Sequence, residues 1–158
     1  MAGEVRVREG LAMTGGVERI VVGIDGSEDS RRALDWAILL ASQFGAEVVA
    51  VHAIGLLAHL SEGPPVPSHS HLDELRTLFE SEWCAPLTAS GVPHRLSMLD
   101  GPPVPVLLAA SDRESADLIV VGSRGTGGFA ELLLGSTSHQ VAEHSRRPVL
   151  VVPGQRPS

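Results

Sequence analysis

Residues 117–152 read DLIVVGSRGTGGFAELLLGSTSHQVAEHSRRPVLVV, and the order of patterns within them decides the fold. Asp117 to Val121 is a short apolar run rich in β-branched residues, the pattern of a strand covered on both faces. A glycine-rich stretch follows, then a short helical segment from about Ser136 to Ser145, then a second apolar run from Pro148 to Val152. Two apolar strands joined through a helix need a crossover, so they lie parallel in one sheet.

The same rhythm extends towards the N-terminus. Arg19 to Ile24 (RIVVGI) is apolar and ends in Asp25-Gly26-Ser27, a turn and N-cap signature. From Glu28, the residues Ala33, Leu34, Ala37, Leu40, Ala41 and Phe44 recur at helical spacing, and Gly45 stands where a C-terminal cap belongs. A second strand is expected over Glu47 to Ala53. Residues Ile54 to Ser70 mix glycine, prolines and histidines and read as an irregular connection. A second helix carries Leu72, Leu75, Phe79 and Leu87 and closes at Gly91, before a third strand over His94 to Leu99. A third helix starts at the Gly101-Pro102-Pro103 break and runs to about Ser115. Strands alternating with helices imply an α/β fold: a doubly wound parallel sheet in a single domain, with helices on both faces. The expected organisation is a leader over residues 1–18, the domain over 19–153 and a tail over 154–158.

The chain has 158 residues, enough for one core. No apolar run approaches the roughly 20 residues of a membrane helix, and the start lacks the apolar stretch of a signal peptide, so the sequence reads as cytoplasmic. A formal charge of −7 argues against a nucleic-acid surface. All twelve basic residues are arginine, which removes a Walker A lysine, a Schiff-base lysine and a kinase-type lysine. The single cysteine, Cys84, reads as core filler.

In doubly wound sheets, ligands bind outside the carboxyl ends of the strands, where the strand order reverses. After strand four the chain carries Gly122, Gly125, Gly135 and Ser136 in the spacing G-x2-G-x9-G-[ST], ending at a helix start. Phosphate oxygens need several converging donors. Glycines admit backbone N–H groups closely, and a helix N-terminus adds unpaired amides and the positive end of its dipole. A plain surface loop is the competing interpretation of these glycines, and an N-cap the competing role for Asp25.

These segments resemble the universal stress proteins of the ATP-binding type. DLIVVGSRGTGGFAELLLGSTSHQVAEHSRRPVLVV is similar to that family's C-terminal signature, RIVVGIDGSEDSRRALDWA to its first strand and helix, and EVVAVHA to its second strand. The resemblance implies a five-stranded sheet of order 3-2-1-4-5 and an adenine nucleotide, ATP with Mg2+, held after strands one and four. It further implies that Asp25, beside Gly23, contacts the adenine or ribose edge and that the backbone near Val51 to Ala53 reads the base. Gly122, Ser123, Arg124 and Gly125, with Gly135, Ser136 and Thr137, would hold the phosphates, Arg124 serving ribose or phosphate. A homodimer through strand five follows from the same resemblance, and Pro148 suits an edge position.

Other clusters are read as bland. His52, His59, His69 and His71 are expected to be solvated, with no metal site. Ser136, Ser138 and His139 are too close along a helix to form a triad. No catalytic residue is assigned: the expected function is an ATP-binding stress-response regulator with slow or no hydrolysis. The alternatives are a nucleotide-independent dimeric interaction protein of the same fold and a phosphoryl or nucleotidyl transferase.

Overall fold

The computed structural model describes residues 15–55, 69–125 and 134–155. Residues 1–14 of the expected leader, 56–68 with His59, 126–133 of the glycine-rich stretch and the tail residues 156–158 lie outside that range. The elements run β1 (Arg19–Gly23), α1 (Glu28–Phe44), β2 (Glu47–Ala53), α2 (His69–Leu78), a π-helical turn (Phe79–Trp83), α3 (Ala85–Ser90), β3 (His94–Leu99), α4 (Pro103–Arg113), β4 (Leu118–Gly122), α5 (Ser136–His144) and β5 (Val149–Val152).

The five strands form one parallel sheet in the order β3-β2-β1-β4-β5. Its register sets Val21 of β1 beside Val49 of β2 and Ile119 of β4, and Val120 beside Leu150 of β5. Because strand side chains alternate, each strand feeds two cores. One holds Ile20, Val22, Val48, Ala50 and Val120 under α1, the π-helical turn and α3. The other holds Val21, Val49, Val51, Ile119 and Val121 under α4 and α5. Near-continuous apolar strands therefore reflect two covered faces, as the sequence pattern implied.

Local chemistry explains the helix ends. Ser27 caps α1, its side chain accepting from Ser30 N–H at 3.1 Å, with Glu28 and Asp29 complementing the dipole in the first turn. The second expected helix is interrupted. Cys84 N–H reaches back five residues to Phe79 C=O at 3.0 Å, and α3 then starts at Ala85 with Pro86 in its first turn. Proline lacks an N–H and would collide with the carbonyl four residues earlier in a continuous α-helix, so the chain widens a turn and restarts. Phe44, expected in the apolar stripe of α1, is instead 55% exposed at the helix's last residue.

The two edges differ. β3 carries Arg95, whose guanidinium bonds Glu47 Oε1 at 2.6 Å and Glu114 Oε2 at 2.5 Å. β5 presents only Val149, Leu150, Val151 and Val152, directly after Pro148. At the N-terminal ends of the strands, Asp117 Oδ2 accepts from Glu18 N–H at 2.8 Å and Arg19 N–H at 3.0 Å, tying the entrance of β1 to β4.

Candidate functional site

β2 leaves β1 on one side and β4 lies on the other, so the C-terminal ends of β1 and β4 open onto the point where the winding reverses. A cleft of about 530 Å³ lies there. Its apolar wall comes from Val51, Leu107 and Val121, with Pro103 at the start of α4.

The first polar element is the turn after β1. Ile24 N–H still bonds Val51 C=O at 2.8 Å, which carries the chain to the sheet's upper rim. Asp25 Oδ1 then accepts from Ser27 N–H at 2.9 Å and Ser27 O–H at 2.5 Å. Ser27, not Asp25, is thus the cap, and Asp25 is held by it as a bracket. Its other oxygen lies directly against Gly125: a Cβ at Gly125 would be 2.7 Å from Asp25 Oδ2. Gly26 has φ of +79°, the left-handed region that favours glycine, and a Cβ there would lie 2.6 Å from the Trp83 indole. The π-helical turn therefore buttresses this turn from behind.

The second element is the end of β2. The last β1 pair is Gly23 with Val51, so Ala53 extends beyond the pairing with β1 and brings its backbone to the cleft. His52 was expected to be solvated. It is instead buried at 8% exposure, with Nδ1 2.7 Å from Ile24 C=O and its ring packed edge-on against Trp83 at 5.2 Å. A ring donating to a carbonyl and wedged between aromatic neighbours satisfies its polarity without water.

The third element is the loop after β4 and the start of α5. Gly122, Arg124 and Gly125 line the cleft, as do Gly135, Ser136 and Thr137. Gly135 is the N-cap of α5 and makes no side-chain cap, so the first-turn amides of α5 open towards the cleft. Gly135 N–H donates to Ser123 C=O at 2.5 Å, and Ser138 Oγ lies 2.8 Å from the same carbonyl, locking α5 to the β4 loop.

Nine of the ten expected residues thus line one cleft: Gly23, Asp25, Ala53, Gly122, Arg124, Gly125, Gly135, Ser136 and Thr137. Ser123 is placed behind it, 5% exposed. Its N–H donates to Val152 C=O at 2.8 Å, and its hydroxyl donates to Asp29 Oδ2 at 3.1 Å and accepts from Gly154 N–H at 3.3 Å. Ser123 is a junction between α1, β4 and the end of β5. Asp29, Ser30 and Leu107 escaped the sequence reading, and Ser138 was weighed there only as a triad member and set aside. Asp29 and Ser30 follow the Ser27 cap within one turn, a signal that could have drawn attention to them. Nothing local to Leu107 could, because only the sheet order brings α4 here.

The profile of the universal stress protein family matches residues 16–153. The chain belongs to that family. It is 35% identical over 145 residues to universal stress protein YxiE of Bacillus subtilis, covering 85% of this chain and 97% of the relative. With universal stress protein MJ0531 of Methanocaldococcus jannaschii it shares 33% over 146 residues, covering 85% and 81%. Among solved structures, that of the hypothetical protein MJ0577 superposes with a TM-score of 0.79 at 25% identity, over 89% of this chain and 99% of that one. A universal stress protein crystallised in complex with cAMP superposes with a TM-score of 0.68 at 29% identity, over 88% and 98%. Within this universal stress protein fold, the cleft sits at the switch point of the sheet. Among the described residues, no helix is long and apolar enough to cross a membrane.

Proposed function

We propose that this universal stress protein is an ATP-binding cytoplasmic regulator of the stress response. In this reading the domain over 19–153 holds the nucleotide at the C-terminal ends of β1 and β4 and hydrolyses it slowly or not at all. The observation that carries the reading is one cleft lined both by the Asp25 carboxylate and by a helix N-terminus bare of any side-chain cap. Asp25 takes the ribose or base edge, where a carboxylate accepts hydroxyl or amino protons. The aliphatic wall of Val51, Leu107 and Val121 receives the adenine face, and the backbone at Ala53 its edge. Gly125 N–H and the first-turn amides of α5 receive the phosphates, with Ser136 and Thr137 adding hydroxyls and Arg124 a fork of donors. The cAMP complex of a relative supports an adenine nucleotide in this fold.

Among the described residues, no three carboxylate, histidine or cysteine side chains gather to hold a metal. Mg2+ would therefore enter with the phosphates, retaining waters and taking at most the free oxygen of Asp25. Fast phosphoryl transfer needs a group that positions the attacking water, and the cleft's polar residues form a ground-state cradle. The apolar β5 edge after Pro148 supports a homodimer, since a symmetric copy would pair its open backbone groups.

Mass spectrometry of nucleotide released on denaturing freshly purified protein tests the reading, together with timed incubation of the protein with ATP and Mg2+. ATP or ADP near one equivalent, with turnover below about 1 per second, is the expected result. Protein that neither carries nor takes up adenine nucleotide would overturn it in favour of an interaction protein. Faster turnover would identify an ATPase or transferase.

A further inference from the structure

We infer that Asp29, outside the cleft, is a positioning residue that decides which backbone amides of the β4 loop can meet a phosphate. The inference rests on the nucleotide reading of the cleft for its ligand and on geometry for the rest.

Three groups converge on this carboxylate. Oδ2 accepts from Ser123 O–H at 3.1 Å and from Arg124 N–H at 3.0 Å. Oδ1 faces the segment that leaves β5, where a Cβ at Gly154 would lie 2.6 Å from it. The helix that carries Asp29 is itself fixed to that segment, through Arg32 Nε donating to Pro153 C=O at 3.2 Å.

The consequence is a division of donors. Backbone N–H groups each make one strong bond, so an amide turned to Asp29 is lost to a ligand. Ser123 N–H is already spent on Val152 C=O, and Arg124 N–H on Asp29. Of these three consecutive loop amides, that leaves Gly125 N–H for the cleft, to act with the first turn of α5. By holding Arg124 N–H backwards, Asp29 also fixes the peptide plane that aims Gly125 N–H. Without the carboxylate, the Arg124 amide has no charged acceptor and the loop loses its anchor to α1. A carboxylate in the first turn of α1 suits this task, because the helix dipole stabilises its charge while both its bonds point away from the ligand.

The prediction separates the two ends of the nucleotide. Asp29→Ala should weaken ATP at least about tenfold and leave adenosine within about twofold, since a charge-assisted hydrogen bond carries that order of effect and only the phosphate end depends on it. Asp29→Asn keeps one acceptor oxygen and should restore ATP binding to within a few fold. Calorimetry with ATP and with adenosine reads both. Hydrogen exchange at the Arg124 amide gives a readout that needs no nucleotide: protection should fall in the alanine variant and persist in the asparagine variant. Equal loss of ATP and adenosine would overturn the inference, as that is what general disruption of the cleft produces. Unchanged Arg124 exchange in Asp29→Ala would overturn it too. Wild-type protein that binds neither ligand would sink the nucleotide reading instead, and the Arg124 exchange would then decide the anchoring role alone.

Discussion

Gly122→Ala should destabilise the fold before any ligand is considered. Gly122 was read as clearing space for phosphates, and it does line the cleft, yet a Cβ there meets α1 first. It would sit 2.6 Å from Asp29 C, 2.7 Å from Asp29 O and 2.8 Å from Asp29 Cβ. Comfortable contact begins near 3.4 Å, so α1 would have to retreat by roughly 0.8 Å. That retreat is resisted by the Ser27 cap and by the bonds from Ser123 and Arg124 to Asp29. Overpacking of this kind costs about 2–3 kcal/mol. At about 2–4 °C per kcal/mol for a chain of this size, the melting temperature should fall by roughly 4–12 °C. The sign is informative, because Gly122 has no left-handed φ: an alanine without the clash would stabilise by about 0.4–1 kcal/mol through the unfolded chain. Calorimetric melting of ligand-free protein is the assay, with Gly16→Ala, whose Cβ meets nothing within 4 Å, as the control. A Gly122→Ala protein that melts at or above the wild-type temperature would refute the close-approach argument.

Three other perturbations follow from the same geometry. Arg95 and Arg19 hold the Glu47 carboxyl below its ordinary value of 4.5, and Arg95 does the same for Glu114. A depressed carboxylate contributes stability above its unfolded pKa that is lost as pH falls through the folded one, so denaturant midpoints should drop below about pH 4.5 and Arg95→Ala should flatten that drop. Burial pushes the Cys84 thiol up to about 12, so Ellman's reagent should label it only at the rate of unfolding; rapid labelling of native protein would contradict its placement. Val151→Asp should shift the protein towards monomer in sedimentation velocity, and a dimer indifferent to that change would rule out pairing at β5.

The sheet was legible because each strand is a short β-branched run punctuated by glycine, proline or a capping serine, and these signals are local. The strand order came from the family resemblance, and hydrogen bonding in the sheet reproduces it. The second helix was misread as continuous because amphipathic spacing survives a π-helical turn, while the proline that forces the restart looks innocuous within the stripe. His52 looked solvated beside other histidines, yet its strand position between Val51 and Ala53 buries it. Asp25 and the glycines were singled out through motif and position, and the sheet brings them to one cleft. Ser123 was grouped with them by adjacency, although its side chain turns to Asp29, a contact across 94 residues that no local pattern could announce.

The unlike edges of the sheet bear on how far association can proceed. A sheet with two open borders can recruit a copy at each, and head-to-tail recruitment repeats without end into a filament. Here one border carries the half-exposed Arg95, a charge on the edge strand of the kind that discourages an arriving partner. The other border is four aliphatic residues long, directly after Pro148, which has no N–H to offer an incoming strand. In the proposed dimer, two copies meeting at their β5 borders would each use up the uncharged border that the described strands offer. Growth would then stop at two, limited by the supply of edges, with no need for a cap or a chaperone to end it.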